Sequence, residues 1–472
     1  MGELKFAYEL ASERVISSKN KKEEPKPEGF NFVEIPEYND REDKVVEIGG
    51  YTDSPDKVGT NETKFIDGSE ELPEVVNVRA EEYSPIHYDK DLMEVCWSGH
   101  FMDYGGFARL NRTMVFGLSN RDVKVRIEME PYLNHVNEST RKQLDFFTNV
   151  ELDPSAPKVF GSTIPINMTH TGKKILYTMI ETSEKVHRDY SEKINLMGEV
   201  WVATKYGKKI MENSNVQVPI YIMPLGVDVD RYKPDCGIMN FGPAMRQFKF
   251  LSVFRWSYRK GFDVLLRAYL EEFSSKEDVS LLLVSRAIEC SEENGVAKIV
   301  EDFNGVKAAV KKPEEEMPHV ALYTKIIHEK DMPKVYNSCN AFTLISRGEG
   351  FGLPYCEAAA SGLPVIASNC SGHTDFLNSE NSYLVDPEGY IEASVNGRLS
   401  RMAKLCHFYE GQMFPHFGDD AIQKTREHMR YVYENYREAK KKAEILRNLV
   451  VNNYTWDMAI DRVYERLREL QS

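Results

Sequence analysis

A chain of 472 residues has ample length for more than one hydrophobic core, and its 42% apolar and 28% charged residues are those of a globular protein. A net charge of −14 argues against a surface built chiefly to grip nucleic acid or anionic lipid. Its seven cysteines are odd in number, scattered and without a C-x-x-C pair, which argues against a disulfide framework or a structural zinc site.

Residues 1–90 differ from the rest. They hold 22 acidic and 12 basic residues, a net −10, with loop-like runs such as KKEEPKPEG and little sustained periodicity. An acidic N-terminal extension fits this better than an independent domain, either wrapped on the body as an extended arm or partly unstructured. The strand-like piece at 32–35 is cut short by Pro36. The first fifteen residues lack the basic and apolar blocks of a secretory signal, and no window approaches the roughly 18 to 20 unbroken apolar residues of a spanning helix, so a cytoplasmic chain is expected.

From Leu92 onward, strand and helix signals alternate, as in α/β proteins. Residues 93–98 read as a first strand, 100–118 as a glycine loop and helix containing Gly105 and Gly106, and 123–127 as a second strand. Two more strands are expected at 174–180 and 199–203, with a helix between them. A second α/β unit begins near Phe248 with a strand, a basic turn holding Arg255 and Lys260, and an amphipathic helix whose apolar residues are Val264, Leu265, Ala268 and Tyr269. Strands follow at 281–285 and 320–326, then a helix at 332–339. Beyond Ile422 the chain is helical, with many charges at i and i+4.

The densest signal is the stretch 341–368, AFTLISRGEGFGLPYCEAAASGLPVIAS. It reads as a buried strand, a glycine loop, a helix starting near Pro354 and a further strand, with Gly362 ending the helix. A helix N-terminus at a sheet edge offers free N–H groups and partial positive charge to a phosphate, and Gly348, Gly350 and Gly352 let a ligand approach the backbone. Glu349 and Glu357, eight positions apart, would repel a diphosphate. Their plausible task is to accept hydrogen bonds from sugar hydroxyls, Glu349 from a transferred sugar and Glu357 from a ribose.

The run EGFGLPYCEAAASGLPVIAS resembles the Glu-x7-Glu signature of the retaining GT-B glycosyltransferases, glycosyltransferase family four in particular. The resemblance implies two Rossmann-like domains facing across a cleft. Residues 91–240 would form the acceptor domain, 241–425 the nucleotide-sugar domain, and 426–472 helices crossing back to the first. It places Gly105, Gly106, Gly350, Phe351, Gly352, Leu353 and Glu357 around the donor, and Ile327 in the segment that meets the base. Arg255 and Lys260 match the family's diphosphate-binding pair, with Phe254 in place of its usual glycine. Glu181 stands where many members carry a histidine near the reacting sugar, and it either lines the site or caps the following helix. The loop CSGHTDFL and the element NSYLVDP also match the family's outline.

The activity implied is retaining transfer of a sugar, a hexose for preference, from a nucleotide-diphosphate sugar, with no metal and no cofactor beyond that donor substrate. Physical need agrees, because a leaving diphosphate gains negative charge that fixed cations and helix N–H groups stabilise. Two rivals share the features: a nucleotide-sugar binding scaffold without turnover, and a sugar epimerase or phosphorylase on the same architecture. The acceptor stays open among glycan, protein, small metabolite and modified DNA.

Overall fold

The computed structural model describes residues 92–471 apart from 131–135, 137, 164–167, 288–291, 394–408 and 410. The acidic extension and its apolar piece at 32–35 lie outside these residues.

The first domain is built on six parallel strands in the order β2-β1-β3-β4-β5-β6. These are β1 (Glu94–Gly99), β2 (Lys124–Met129), β3 (Lys158–Gly161), β4 (Lys174–Thr178), β5 (Glu199–Val202) and β6 (Ile220–Ile222). Helix α1 (Gly106–Ser119) connects β1 to β2 and buries Leu110, Met114, Val115 and Leu118. One side chain locks helix to sheet. Asn111 of α1 accepts from Trp97 Nε1 at 2.8 Å and donates to His100 O at 2.8 Å and Gly161 O at 2.9 Å. Helices α2 (Glu138–Thr148), α3 (Arg188–Ile194) and α4 (Lys205–Asn213) complete this half.

The second domain repeats the plan, with strands in the order β12-β11-β10-β7-β8-β9. Its central strands β7 (Phe248–Arg255) and β8 (Val279–Arg286) are the near-continuous apolar runs that a sheet covered on both faces requires. Around them lie β9 (His319–Tyr323), β10 (Ala341–Leu344), β11 (Val365–Ser368) and β12 (Tyr383–Val385), with helices α5 (Phe262–Glu272), α6 (Glu292–Ala309), α7 (Met332–Asn337) and α8 (Leu353–Ala360). An antiparallel pair, β13 (Gly389–Glu392) and β14 (Met413–His416), stands apart from the main sheet.

Helices α9 (Asp419–Glu434) and α10 (Tyr436–Asn453) pack on the second domain, and α11 (Trp456–Gln471) returns to the first. Its Ile460 fills the space beside Gly117 of α1, where an added Cβ would lie 2.3 Å from Ile460 Cδ1. Its Arg466 reaches Glu199, a fully buried carboxylate at the head of β5 that also accepts from Trp201 Nε1 at 2.7 Å and pairs with Lys173 at 3.0 Å. Burial would raise the Glu199 pKa, but the hydrogen bonds from Arg466, Lys173 and Trp201 outweigh it and hold the carboxyl below its ordinary value.

Element boundaries differ in places from the sequence reading. The strand expected over 320–326 stops at Tyr323, where its ladder with β8 ends at the Val284–Tyr323 pair. Strands β3 and β6 carry too few residues to show a pattern by themselves, and their ladders with β1, β4 and β5 define them. Helix α8 starts at Leu353, one residue before the expected Pro354.

Candidate functional site

Both sheets aim their C-terminal strand ends into the cleft between the domains, the place where open parallel sheets bind ligands. In the first domain, β1 leads to Asp103 and Gly105, the N-cap of α1, in an extended conformation. The Asp103 carboxylate accepts the Gly105 N–H. A Cβ added to Gly106 would meet nothing within 4 Å, so there is open space beside the first turn of α1.

In the second domain the glycine loop runs from β10 into α8. Gly352 caps that helix at φ +97°, the left-handed region that glycine adopts without strain. Gly348 and Gly350 press against the first domain, since added Cβ atoms would fall 1.8 Å from the Glu181 carbonyl and 2.5 Å from Met179 Cβ. Phe351 turns its ring into the core against Phe376 and Tyr454, so its contribution to a ligand is limited to its backbone. Leu353, half-buried, is the first residue of α8.

Glu349 and Lys260 form a buried ion pair, with Lys260 Nζ 2.5 Å from Glu349 Oε1. Burial would raise the Glu349 carboxyl, but the Lys260 and Arg259 cations outweigh it and keep it below its ordinary pKa. Burial and the neighbouring Arg259 pull the Lys260 ammonium down, against the Glu349 charge. Beneath the loop His373 is fully buried, stacked on Tyr355 at 4.4 Å, with Nε2 2.7 Å from Ser368 O. Burial holds its pKa at about 4, so its imidazole is neutral.

Glu357 is also buried, but its partners are different ones. Arg109 of α1 donates to one oxygen and the Tyr336 hydroxyl to the other, at 2.6 Å. Arg112, one turn further along α1, donates to Phe101 O and Asp103 O and pairs with Glu329 at 2.6 Å. Arg109 and Arg112 line a cleft of about 710 Å³ between the domains, together with Asp228, Arg231, His328 and Glu329. Ile327, just before that lining segment, is half-buried against the second-domain core.

Arg255, at the end of β7, is 44% exposed and lies 3.6 Å from Asp103, close to the Gly105 loop. Arg259 sits deeper, where its Nη2 is 3.1 Å from Glu181 Oε1 and its Nη1 donates to Gly348 O. Among the described residues, four acid–cation contacts thus cross from the first domain to the second: Asp103–Arg255, Arg109–Glu357, Arg112–Glu329 and Glu181–Arg259.

The structure therefore gathers Gly105, Gly106, Glu181, Arg255, Lys260, Glu349, Gly350, Gly352 and Glu357 along one cleft. Sequence reasoning missed Arg109, Arg112, Arg259, Tyr336 and Glu329. For the two α1 arginines a signal existed, because they follow the glycine pair at helical spacing, on the face that carries Phe116 one turn on. Among the described residues no group of three or more His, Cys, Asp or Glu stands close enough to hold a metal ion, and no helix is long and apolar enough to cross a membrane.

Comparison with known proteins bears on this geometry. Residues 246–397 match the family described as glycosyl transferases group 1. A search of curated proteins finds no significant sequence match. Among solved structures, Anabaena HepE in complex with UDP and glucose superposes with a TM-score of 0.55 at 12% identity, over 80% of this chain and 100% of that one. Sucrose-phosphate synthase from Thermosynechococcus elongatus gives 0.55 at 14% identity, over 80% and 99%, and a glycosyltransferase from Rickettsia africae 0.54 at 14%, over 81% and 99%. The fold is GT-B, and the domain match together with that fold supports a GT-B glycosyltransferase.

Proposed function

We propose that the protein transfers a hexose from a nucleoside-diphosphate sugar to a hydroxyl acceptor with retention at the anomeric carbon. The observation that carries this is the buried Lys260–Glu349 pair beside the glycine loop that opens α8, with Arg255 of the same turn reaching Asp103 and Gly105 at the N-terminus of α1. The diphosphate lies between that N-terminus, Arg255, Lys260 and the N–H groups of Gly350 to Leu353, in a field of positive charge supplied by the chain itself. Glu349 accepts hydrogen bonds from the transferred sugar and Glu357 from the ribose. The base extends past Ile327 toward the interdomain cleft. HepE, with UDP and glucose in its structure, supports a donor of this class.

In the reaction the bond from the anomeric carbon to the diphosphate oxygen breaks, and the electron pair leaves with the diphosphate. The acceptor hydroxyl attacks the same face of the sugar, and its proton passes to the departing diphosphate oxygen. Lys260 and Arg255 stabilise the charge that accumulates there, and each such fixed donor is worth about 10²- to 10³-fold in rate. Glu181 lines the sugar's side of the cleft. This reading needs no group beyond the donor, and the acceptor is held chiefly by the first domain.

The test is a panel of UDP-, GDP-, ADP- and dTDP-hexoses incubated with the purified protein, following release of diphosphate and sugar. One donor should turn over, and Glu349→Gln should abolish that turnover without unfolding the chain. Tight binding of a donor with no turnover on any acceptor would favour a binding scaffold, and no binding at all would overturn the reading.

A further inference from the structure

Glu181, Arg259 and Tyr409 meet at the site although no motif joins them. Glu181 follows β4, Arg259 lies in the turn after β7 beside Lys260, and Tyr409 comes shortly before β14. Glu181 Oε1 takes Arg259 at 3.1 Å, and Oε2 accepts from the Tyr409 hydroxyl at 3.2 Å. Tyr409 also bonds Arg259, and the other arm of Arg259 is fixed by the Gly348 carbonyl. The loop holding Glu181 is itself tied across the cleft, with Ser183 N donating to Met413 O of β14 at 2.9 Å.

The position of this cluster is informative. Glu181 backs onto Gly348, the residue before Glu349, and Lys260, which grips Glu349, follows Arg259 in the chain. The cluster therefore borders the sugar end of the donor cleft, while Glu357, Arg109 and Tyr336 border the other end. Among the described residues each Glu181 oxygen has one protein donor, which leaves a further lone pair for a ligand.

We propose that Arg259 and Tyr409 are positioning residues that hold Glu181 as an acceptor for the 6-hydroxyl of the donor's sugar, the one group a uronic acid lacks, so that the site takes neutral hexose nucleotides and rejects their uronic acid counterparts. This inference rests on the donor reading above. A carboxylate built to receive a hydroxyl discriminates strongly against a group that cannot donate, and a second carboxylate brought against it adds like-charge repulsion at low dielectric.

The test uses binding, so it does not need an acceptor. Calorimetry with UDP, GDP, ADP and dTDP identifies the base. Kd values are then compared for the free diphosphate, a hexose nucleotide and the matching uronic acid nucleotide of that base, UDP-glucose and UDP-glucuronate in the case of UDP. The unaltered protein should prefer the hexose form by about tenfold or more, and Glu181→Gln should shrink or invert that ratio by releasing Arg259 to the uronate. Arg259→Ala and Tyr409→Phe should weaken the hexose nucleotide by about three- to tenfold yet leave the free diphosphate within about twofold, which also shows that each variant is folded. Arg259→Lys should recover part of the loss.

Equal affinity of the unaltered protein for hexose and uronate forms would overturn the inference, as would a ratio unmoved by all these variants. So would an Arg259→Ala variant that loses free diphosphate as steeply as sugar nucleotide, because Arg259 would then be a phosphate ligand. Failure of every diphosphate to bind the unaltered protein is a different result: it removes the donor reading itself, and the inference with it.

Discussion

Arg109 in the first domain donates to one oxygen of Glu357 in the second, while the Tyr336 hydroxyl takes the other at 2.6 Å. The carboxylate proposed to bind a ribose is thus already held by an interdomain ion pair, and a ribose hydroxyl competes with Arg109 for it. Arg109→Ala should lower the melting temperature of the free protein, since a buried carboxylate loses its cation. It should also enlarge the stabilisation given by saturating nucleotide, with binding tightened by about tenfold, or 1.4 kcal/mol. Thermal shift with and without nucleotide checks both; a smaller ligand-induced shift than in the unaltered protein would make Arg109 a ligand for the nucleotide.

Lys260 and Glu349 should respond unequally to substitution. Lys260→Ala strands a buried carboxylate and should cost about 3–5 kcal/mol of stability, whereas Glu349→Gln keeps the shape and strands an ammonium that burial and Arg259 already push toward its neutral form, so it should cost less. Turnover should fall about 10²-fold or more in either variant. Chemical denaturation alongside a donor hydrolysis assay separates the two effects, and a loss of stability under about 1 kcal/mol in Lys260→Ala would show that the pair is not a coupled buried unit.

His373 makes stability depend on pH. Its pKa is about 4 in the fold, pressed down by burial and by Lys260 and opposed by Glu349, against an ordinary 6.5. Above pH 6.5 the ring is neutral whether folded or not, and no stability is at stake. As pH falls from about 6.5 toward 4 the unfolded chain takes up a proton that the folded one refuses, so stability drops, by roughly 3 kcal/mol at the lower end. The slope in this window should flatten in His373→Gln, measured as denaturation midpoints between pH 7 and 4.

Two glycines in the cleft should behave in opposite ways. Gly106→Ala adds a methyl where nothing stands within 4 Å and puts a better helix former at the start of α1, so stability should hold or rise by up to about 1 kcal/mol. Because that methyl intrudes on the space assigned to phosphate, nucleotide affinity should drop by about tenfold. Gly348→Ala drives a methyl to 1.8 Å from the Glu181 carbonyl and should destabilise the contact between the domains. Melting curves and calorimetry on the two variants decide the matter.

Legibility from sequence followed the physics of each element. Strands β1, β7 and β8 are apolar runs whose burial on both faces shows in composition, and the glycine loop with its two glutamates declares itself through residues with few other uses. Strand β3, KVFG, has neither length nor alternation, and only its neighbours make it a strand. Arg109 and Arg112 look like the solvated face of α1 until a second domain arrives to pair with them. Arg259 was hidden beside the motif's own lysine, and Tyr409 reaches Glu181 from 228 residues away in the chain. Phe351, assigned to the donor by its place in the motif, proved to serve the core with its ring.

Helix α11 has a bearing on biogenesis. The groove along α1 that receives Ile460, and the buried Glu199 that meets Arg466, belong to the domain a ribosome makes before the second one, yet the segment that fills them is made after it. A nascent first domain emerges with an open apolar seam and a Glu199 carboxylate held by Lys173 and Trp201 without its arginine. It can reach its finished form only after the second domain has been threaded out behind it.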